Sequence, residues 1–106
     1  MDNFKGVYKI LTALEKAMDL PAFDVDQIGP EALGVSEERW GRYMEMMADV
    51  WYIKGVSISR DVTGSTIVEA EDIRITLKGL AYLQENSIMQ KLYRAAKGVK
   101  DVVPGV

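Results

Sequence analysis

Histidine and cysteine, two residue types on which much protein chemistry depends, do not occur among the 106 residues of this chain. Their absence excludes serine–histidine catalysis, a thiol nucleophile, and zinc or iron sites built from imidazole or thiolate ligands. We therefore expect no enzyme, no catalytic residues, no cofactor and no metal site. The side chains that remain suited to a binding site are bases and hydroxyls that can contact phosphate. They are Arg39, Arg42, Lys54, Arg60, Thr63 and Ser65.

The first two of these candidates fall within a predicted helix over residues 36–50. Ser36 is placed to cap its first turn, although the glutamate that would complete a capping box is replaced by Arg39. One face of this helix is predicted to be buried and comprises Trp40, Tyr43, Met44, Met47, Val50 and Trp51. The opposite face is predicted to be exposed and carries Glu38, Gly41, Arg42, Glu45 and Asp49.

The other candidates belong to a predicted β-hairpin that follows the helix. Alternating apolar and polar residues at 56–59 predict a half-buried strand, and residues 67–75 form the returning strand. The polar turn 61–65 joins them, and Gly64 can adopt the positive φ that such a turn needs. Thr76 then caps a further helix. The apolar side of that helix is predicted to comprise Leu77, Leu80, Ala81 and Leu83.

Further elements are predicted on both sides of this unit. A helix spans residues 3–19, a short extended segment at 23–28 supplies a third strand, and a one-turn helix covers 30–33. A last helix spans 87–100, and residues 101–106 form a loose tail. The first helix is predicted to bury Phe4, Val7, Tyr8, Leu11, Leu14 and Met18. The last helix either packs back on the first or pairs with a second subunit in a homodimer, through Ile88, Met89, Leu92, Tyr93 and Val99.

The order helix, hairpin, closing helix predicts an α+β fold: a winged helix-turn-helix with additional N- and C-terminal helices. At this length we expect a single domain over residues 1–100, and its 48% hydrophobic and 27% charged residues are those of an ordinary globular protein. No apolar run approaches the roughly 18 residues needed to span a bilayer, and the N-terminus does not resemble a signal peptide. A cytoplasmic location without membrane contact is expected.

Two acidic segments have the residue types of a cation site. Residues 24–29 begin like a calcium-binding loop, but Ile28 occupies a ligand position. The second segment lies in the strand 67–75, where an irregularity is predicted. Its acids are better explained as charge that prevents the strand edge from pairing with other chains. These acids are Glu69, Glu71 and Asp72.

The charge pattern leaves two classes of partner open. Winged helices commonly insert one helix into the DNA major groove and rest the hairpin on the backbone, so a DNA-binding regulatory protein is our leading interpretation. However, the net charge is −3, and the first 50 residues contain five bases against ten acids. An acidic helix face opposes binding to phosphate, where affinity comes mainly from neutralising charge. The alternative is a protein-interaction module whose acidic helix face contacts a basic partner.

Several segments of the chain resemble the YjcQ family, small winged-helix proteins of Gram-positive bacteria and their phages. The similarity is carried by residues 4–15, 30–40, 52–56 and 75–86, and it covers about residues 1–96. It implies the winged-helix fold and a phage-related setting. It implies no catalytic or binding residues, so DNA binding follows only by analogy with other winged helices.

Overall fold

The computed structural model describes residues 3–86, which form a mixed α+β fold. The helices are α1 (Asn3–Lys16), α2 (Pro30–Leu33), α3 (Glu37–Asp49) and α4, which comprises residues 77–86, the last that the structure describes. The strands β1 (Ile53–Arg60) and β2 (Thr66–Ile75) pair as an antiparallel hairpin. The order of α3, hairpin and α4 is compatible with a winged helix. The predicted final helix 87–100 and tail 101–106 lie outside the described residues.

The core lies between α1, α3 and the base of the hairpin, because each contributes an apolar face. Short 3-10 helices at Ala17–Asp19 and Val25–Ile28 connect α1 to α2, and the second of them also contributes to the core. The buried apolar residues are Ile10, Leu11, Leu14, Ile28, Leu33, Tyr43, Met44, Met47, Ile53, Ile73 and Ile75. Within the described residues, no helix is long and apolar enough to cross a membrane.

The third strand predicted over residues 23–28 is wrong. Asp24 Oδ1 accepts the backbone amide of Asp26 at 3.0 Å, and Asp24 O accepts that of Gln27 at 3.1 Å. An aspartate side chain that bonds to nearby amides favours a turn over an extended strand. The segment therefore curls into the 3-10 helix Val25–Ile28, which buries Ile28.

Helix α3 begins as predicted and ends earlier than predicted. Ser36 Oγ accepts the amide of Arg39 at 3.1 Å, which confirms the cap. The predicted burial of Val50 and Trp51 is wrong, since their exposed fractions are 44% and 67%. The predicted exposure of Gly41 is wrong, because the side chain of Thr66 covers it. A Cβ at Gly41 would lie 3.1 Å from that side chain.

The ends of the other apolar stripes are also exposed. Phe4 and Met18 of the predicted α1 stripe are exposed: Phe4 lies in the first turn of α1, and Met18 lies in the 3-10 helix Ala17–Asp19 that follows it. In α4, Leu77 and Ala81 are exposed, and only Leu80 and Leu83 of the predicted stripe are half-buried. The Thr76 cap is confirmed, since Gly79 N donates to Thr76 Oγ1 at 3.1 Å.

The hairpin contains the predicted irregularity. Lys54 pairs with Arg74 and Val56 with Ala70, so Gly55 stands opposite three residues of β2. Gly55 has φ 84°, and a Cβ there would lie 2.0 Å from the carbonyl oxygen of Asp72. Only glycine fits this close approach. At the other end of the hairpin, Gly64 has φ 88°, as the turn predicted.

The C-terminus of α3 closes in a Schellman motif, with an unusual residue at its turning point. Tyr52 N donates to Met47 O at 2.9 Å, and Trp51 N donates to Ala48 O at 3.1 Å. Trp51 therefore occupies the left-handed position with φ 63°, where glycine is the usual residue.

The left-handed conformation makes Trp51 a site where glycine is favoured. We expect Trp51→Gly to be about 1 kcal/mol more stable than Trp51→Ala, because both variants remove the indole but only alanine keeps the Cβ that opposes positive φ. Urea unfolding of the two variants measures the difference. Equal stabilities would show that this backbone is not strained.

At Gly79 the usual preference of a helix for alanine over glycine should be reversed. In an exposed helix Gly→Ala stabilises by about 0.5–1 kcal/mol, but here the new Cβ would lie 2.4 Å from Tyr52 O. We expect Gly79→Ala to lower the free energy of unfolding by about 1–3 kcal/mol through overpacking. Lys78→Ala on the exposed side of α4 is the control and should change it by less than about 0.5 kcal/mol. Similar values for both would contradict close packing of α4 on Tyr52.

Candidate functional site

Arg39 is exposed near the start of α3 and is held in place by the first residue of α1. Its Nη1 donates to Asn3 Oδ1 at 2.8 Å, and the Tyr43 hydroxyl donates to the same oxygen at 2.7 Å. The amide oxygen is neutral, so Arg39 keeps its full positive charge while its position is restricted. Asn3 thus links α1 to α3 and orients a base at the surface. The sequence pattern gave no indication of this role for Asn3.

Arg42 lies one helical turn after Arg39 and is also exposed. Its side chain makes no hydrogen bond or ion pair within residues 3–86. Residues three apart on a helix are neighbours, so the two guanidinium groups stand on one side of α3. They line a shallow cleft together with Asn3, Ser36, Glu38, Tyr43 and Met46. We call this the arginine cleft. Two of the six predicted DNA contacts, Arg39 and Arg42, thus lie side by side.

Arg60, a predicted contact, is instead paired with an acid of α3. Its Nη2 lies 3.0 Å from both Oε1 and Oε2 of Glu45. This pair joins the end of β1 to the middle of α3. It removes one base from the predicted phosphate contacts, and it also neutralises one of the acids that would repel DNA.

The Arg60–Glu45 pair should contribute little to stability, because the Arg60 side chain is 43% exposed and that of Glu45 is 22% exposed. A double-mutant cycle with Arg60→Ala and Glu45→Ala should give a coupling free energy of about 0.3–1 kcal/mol, decreasing with added salt. Urea unfolding at two salt concentrations measures it. A coupling that does not depend on salt would mean that water is excluded from the pair.

The hairpin turn contains the remaining hydroxyl candidates, Thr63 and Ser65, but Asp61 already engages them. Asp61 Oδ1 accepts Thr63 N at 2.8 Å, Thr63 Oγ1 at 2.6 Å and Ser65 N at 3.0 Å. Hydrogen bonds from the Thr63 side chain, and then from the Thr63 and Ser65 amides, lower the pKa of Asp61. The carboxylate therefore takes the Thr63 hydroxyl and the amides of both residues, while Thr63 Oγ1 also lies 3.3 Å from Ser65 Oγ. Both residues stabilise the turn.

The lowered pKa of Asp61 makes the order of this turn depend on pH. The contribution is complete above the ordinary value of 3.8 and is lost as pH falls through the lower pKa of the folded state. We expect the Thr63 and Ser65 amides to be protected from hydrogen exchange at pH 5 and to lose protection in acid. In Asp61→Asn, whose side-chain oxygen accepts at every pH, protection should not change with pH. Loss of protection in both proteins would assign the effect to another group.

Lys54 is exposed on β1, but it lies far from the turn. Six residues separate it from Arg60 along the strand, a distance of about 20 Å. It pairs in register with Arg74, whose Nε is 3.0 Å from Asp72 Oδ2. The six predicted contacts therefore do not form one surface.

The surface around these residues is acidic on balance. Helix α3 carries four acids and two arginines, and residues 53–75 carry four acids and three bases. In the part of the chain that the structure describes, no group of three or more acidic side chains is arranged to hold a metal ion. The predicted packing candidates Ile88, Met89, Leu92, Tyr93 and Val99 lie outside that part.

The fold defines a small mixed α+β protein in which a helix, a hairpin and a closing helix follow one another. The YjcQ protein family matches residues 8–102, and the chain belongs to this family. The resemblance that the sequence indicated is thus confirmed. A search of curated proteins and a search of solved structures each gave no match.

Proposed function

We propose that this chain is a non-enzymatic winged-helix protein that binds duplex DNA through the first half of α3 and acts in regulating transcription. The observation that carries the proposal is the arginine cleft. Two guanidinium groups stand there on one exposed side of the helix that precedes a hairpin, and within residues 3–86 neither forms an ion pair with an acid. We also infer a cytoplasmic setting from the sequence pattern and, from the family resemblance alone, a phage-related one.

The arginine cleft offers the right chemistry for the DNA backbone and base edges. Arginine binds phosphate or guanine through two parallel N–H donors, and it loses less affinity to side-chain ordering when it is already oriented. Asn3 provides that orientation for Arg39. Arg42 has no such restraint and can reach a phosphate on either side of the groove. In this arrangement the hairpin lies beside the helix, and the Arg60–Glu45 pair bridges the two.

The acids of α3 limit the affinity that this surface can reach. Each phosphate neutralised contributes to binding, and each acid near the backbone opposes it. We therefore expect weak binding to mixed-sequence duplex, with a Kd on the order of 100 micromolar, at the weak end of what nonspecific binders show. Glu38 can also accept a hydrogen bond from cytosine N4, so that an acid in the cleft favours particular sequences.

Binding to mixed-sequence duplex DNA across a salt series tests the proposal. We expect log affinity to fall linearly with log salt, and Arg42→Ala to reduce the slope by about one unit. Lys78→Ala is the matched control, because it removes one positive charge from α4 and should leave the slope unchanged. Absence of binding even at low salt would reject DNA as the partner.

A protein partner is the second candidate, and the acidic balance of α3 and the hairpin is the observation that favours it. Glu37, Glu38 and Asp49 are exposed, and a basic protein surface would be attracted to them rather than repelled. In that case the fold would serve as a scaffold. If DNA binding fails, retention of a basic partner by the native chain, weakened by Glu38→Lys, would support this alternative.

A further inference from the structure

The side-chain carboxamide of Asn3 has an orientation that its neighbours fix. Its Oδ1 accepts Arg39 Nη1 at 2.8 Å and the Tyr43 hydroxyl at 2.7 Å. A guanidinium group has only donors, so the atom that faces Nη1 is the oxygen and cannot be exchanged with the nitrogen. Tyr43 is 1% exposed, so the oxygen is anchored to the core. Asn3 Nδ2 is therefore held away from both donors.

This nitrogen borders the arginine cleft and has no acceptor in the described part of the chain. Asn3 is exposed and lines the cleft, and its Nδ2 makes no hydrogen bond within residues 3–86. A guanidinium group carries five N–H donors, of which Arg39 uses one on Asn3. The Arg42 side chain uses none within the same residues. Three side chains from α1 and α3 thus bring N–H donors to one cleft.

The charge of the cleft favours an oxyanion as the acceptor for these donors. Arg39 and Arg42 contribute two positive charges, and Glu38 is the only acid among the described residues that line the cleft. Hydrogen bonds from arginine to an anionic oxygen are shorter and stronger than those between neutral groups. A phosphate group suits the arrangement because its oxygens point in several directions, so donors on two helices can reach it together.

We propose that Asn3, Arg39 and Arg42 form a binding site for a single phosphate group, in which Asn3 Nδ2 donates directly to a phosphate oxygen. Asn3 therefore has two roles, since its oxygen orients Arg39 and its nitrogen binds the ligand. This inference deepens the proposed function and rests on it for the source of the phosphate, which is the DNA backbone. Free phosphate has the same chemistry, and the experiment below separates the two sources.

Proton–nitrogen correlation spectra of the side chains in the full protein test the site. Inorganic phosphate is titrated beside chloride at equal ionic strength, so that shifts beyond those in chloride report binding rather than screening. We expect the signals of Asn3 Nδ2 and of the arginine Nε groups to follow one saturation curve. The carboxamides of Gln84 and Asn86 on α4 are the controls and should not shift.

Two outcomes of this titration contradict the proposal. Shifts of the arginine signals without a shift at Asn3 would mean that Asn3 only orients Arg39. Shifts that are equal in phosphate and chloride would overturn the site as a whole.

A double-mutant cycle separates direct contact from orientation by a second route. If Asn3 acted only through Arg39, Asn3→Ala would have no effect once Arg39 is replaced by alanine. We expect Asn3→Ala to weaken phosphate binding by about three- to tenfold in the Arg39→Ala background as well, the factor for one hydrogen bond. Gln84→Ala is the matched control and should leave binding unchanged. A loss confined to the native background would overturn the direct contact.

A short DNA duplex in place of inorganic phosphate distinguishes failure of this inference from failure of the proposed function. If phosphate shifts Asn3 while the duplex does not bind, the site stands with free phosphate as its ligand and the proposed function fails. If the duplex binds and shifts the arginine signals but not Asn3, the proposed function stands and the contact from Asn3 fails.

Discussion

The backbone carbonyls of Trp51 and Tyr52 accept the hydrogen bonds on which the relative positions of α3, the hairpin and α4 depend. The amide of Thr76 donates to Tyr52 O at 3.0 Å, and its hydroxyl donates to Trp51 O. Thr76 thus closes the base of the hairpin and caps the start of α4. Gly79 then lies against the same Tyr52 carbonyl, and the rings of Tyr52 and Tyr82 are 4.9 Å apart. The left-handed turn at Trp51 is what brings these carbonyls into place.

This junction explains why surface groups on separate elements can act together. The hairpin leaves α3 in a fixed direction, so that Arg60 at the far end of β1 reaches Glu45 in the middle of α3. At the other end of α3, Asn3 restrains Arg39. Each restraint is a polar contact of modest strength at the surface. Their precision comes from the core beneath them, in which Tyr43, Met44 and Met47 pack against α1 and the strands.

The sequence predicted the elements whose signals are local. Ser36 and Thr76 cap the helices because a hydroxyl reaches an amide three residues on, and Gly64 turns because it has no Cβ. The resemblance to the family also covered most of the chain. Local signals of this kind do not identify the partner, the DNA contacts or the winged-helix fold.

Several of the failures depend on contacts between residues distant in sequence, whereas the failed third strand depends on the local hydrogen bonds of Asp24. Val50 and Trp51 fit the apolar stripe of α3, but the Schellman turn ends the helix at Asp49, and Thr76 then holds the Trp51 carbonyl at the base of the hairpin. Gly41 is buried because Thr66 lies on it. Arg60 carried a charge suited to phosphate, yet its partner was 15 residues earlier. Periodicity cannot detect any of these contacts.

The apolar stripes of α1 and α3 both include side chains that lie outside the described core. A helix that buries one face can also leave apolar side chains exposed at the margin of that face. Phe4, Met46 and Val50 lie at such positions, and they meet at a single groove rather than being scattered. Scattered exposure would need no explanation, whereas convergence from two helices does. The same patterning that misassigned Phe4 and Val50 to the core thus places them, together with Met46, at one apolar groove on the surface.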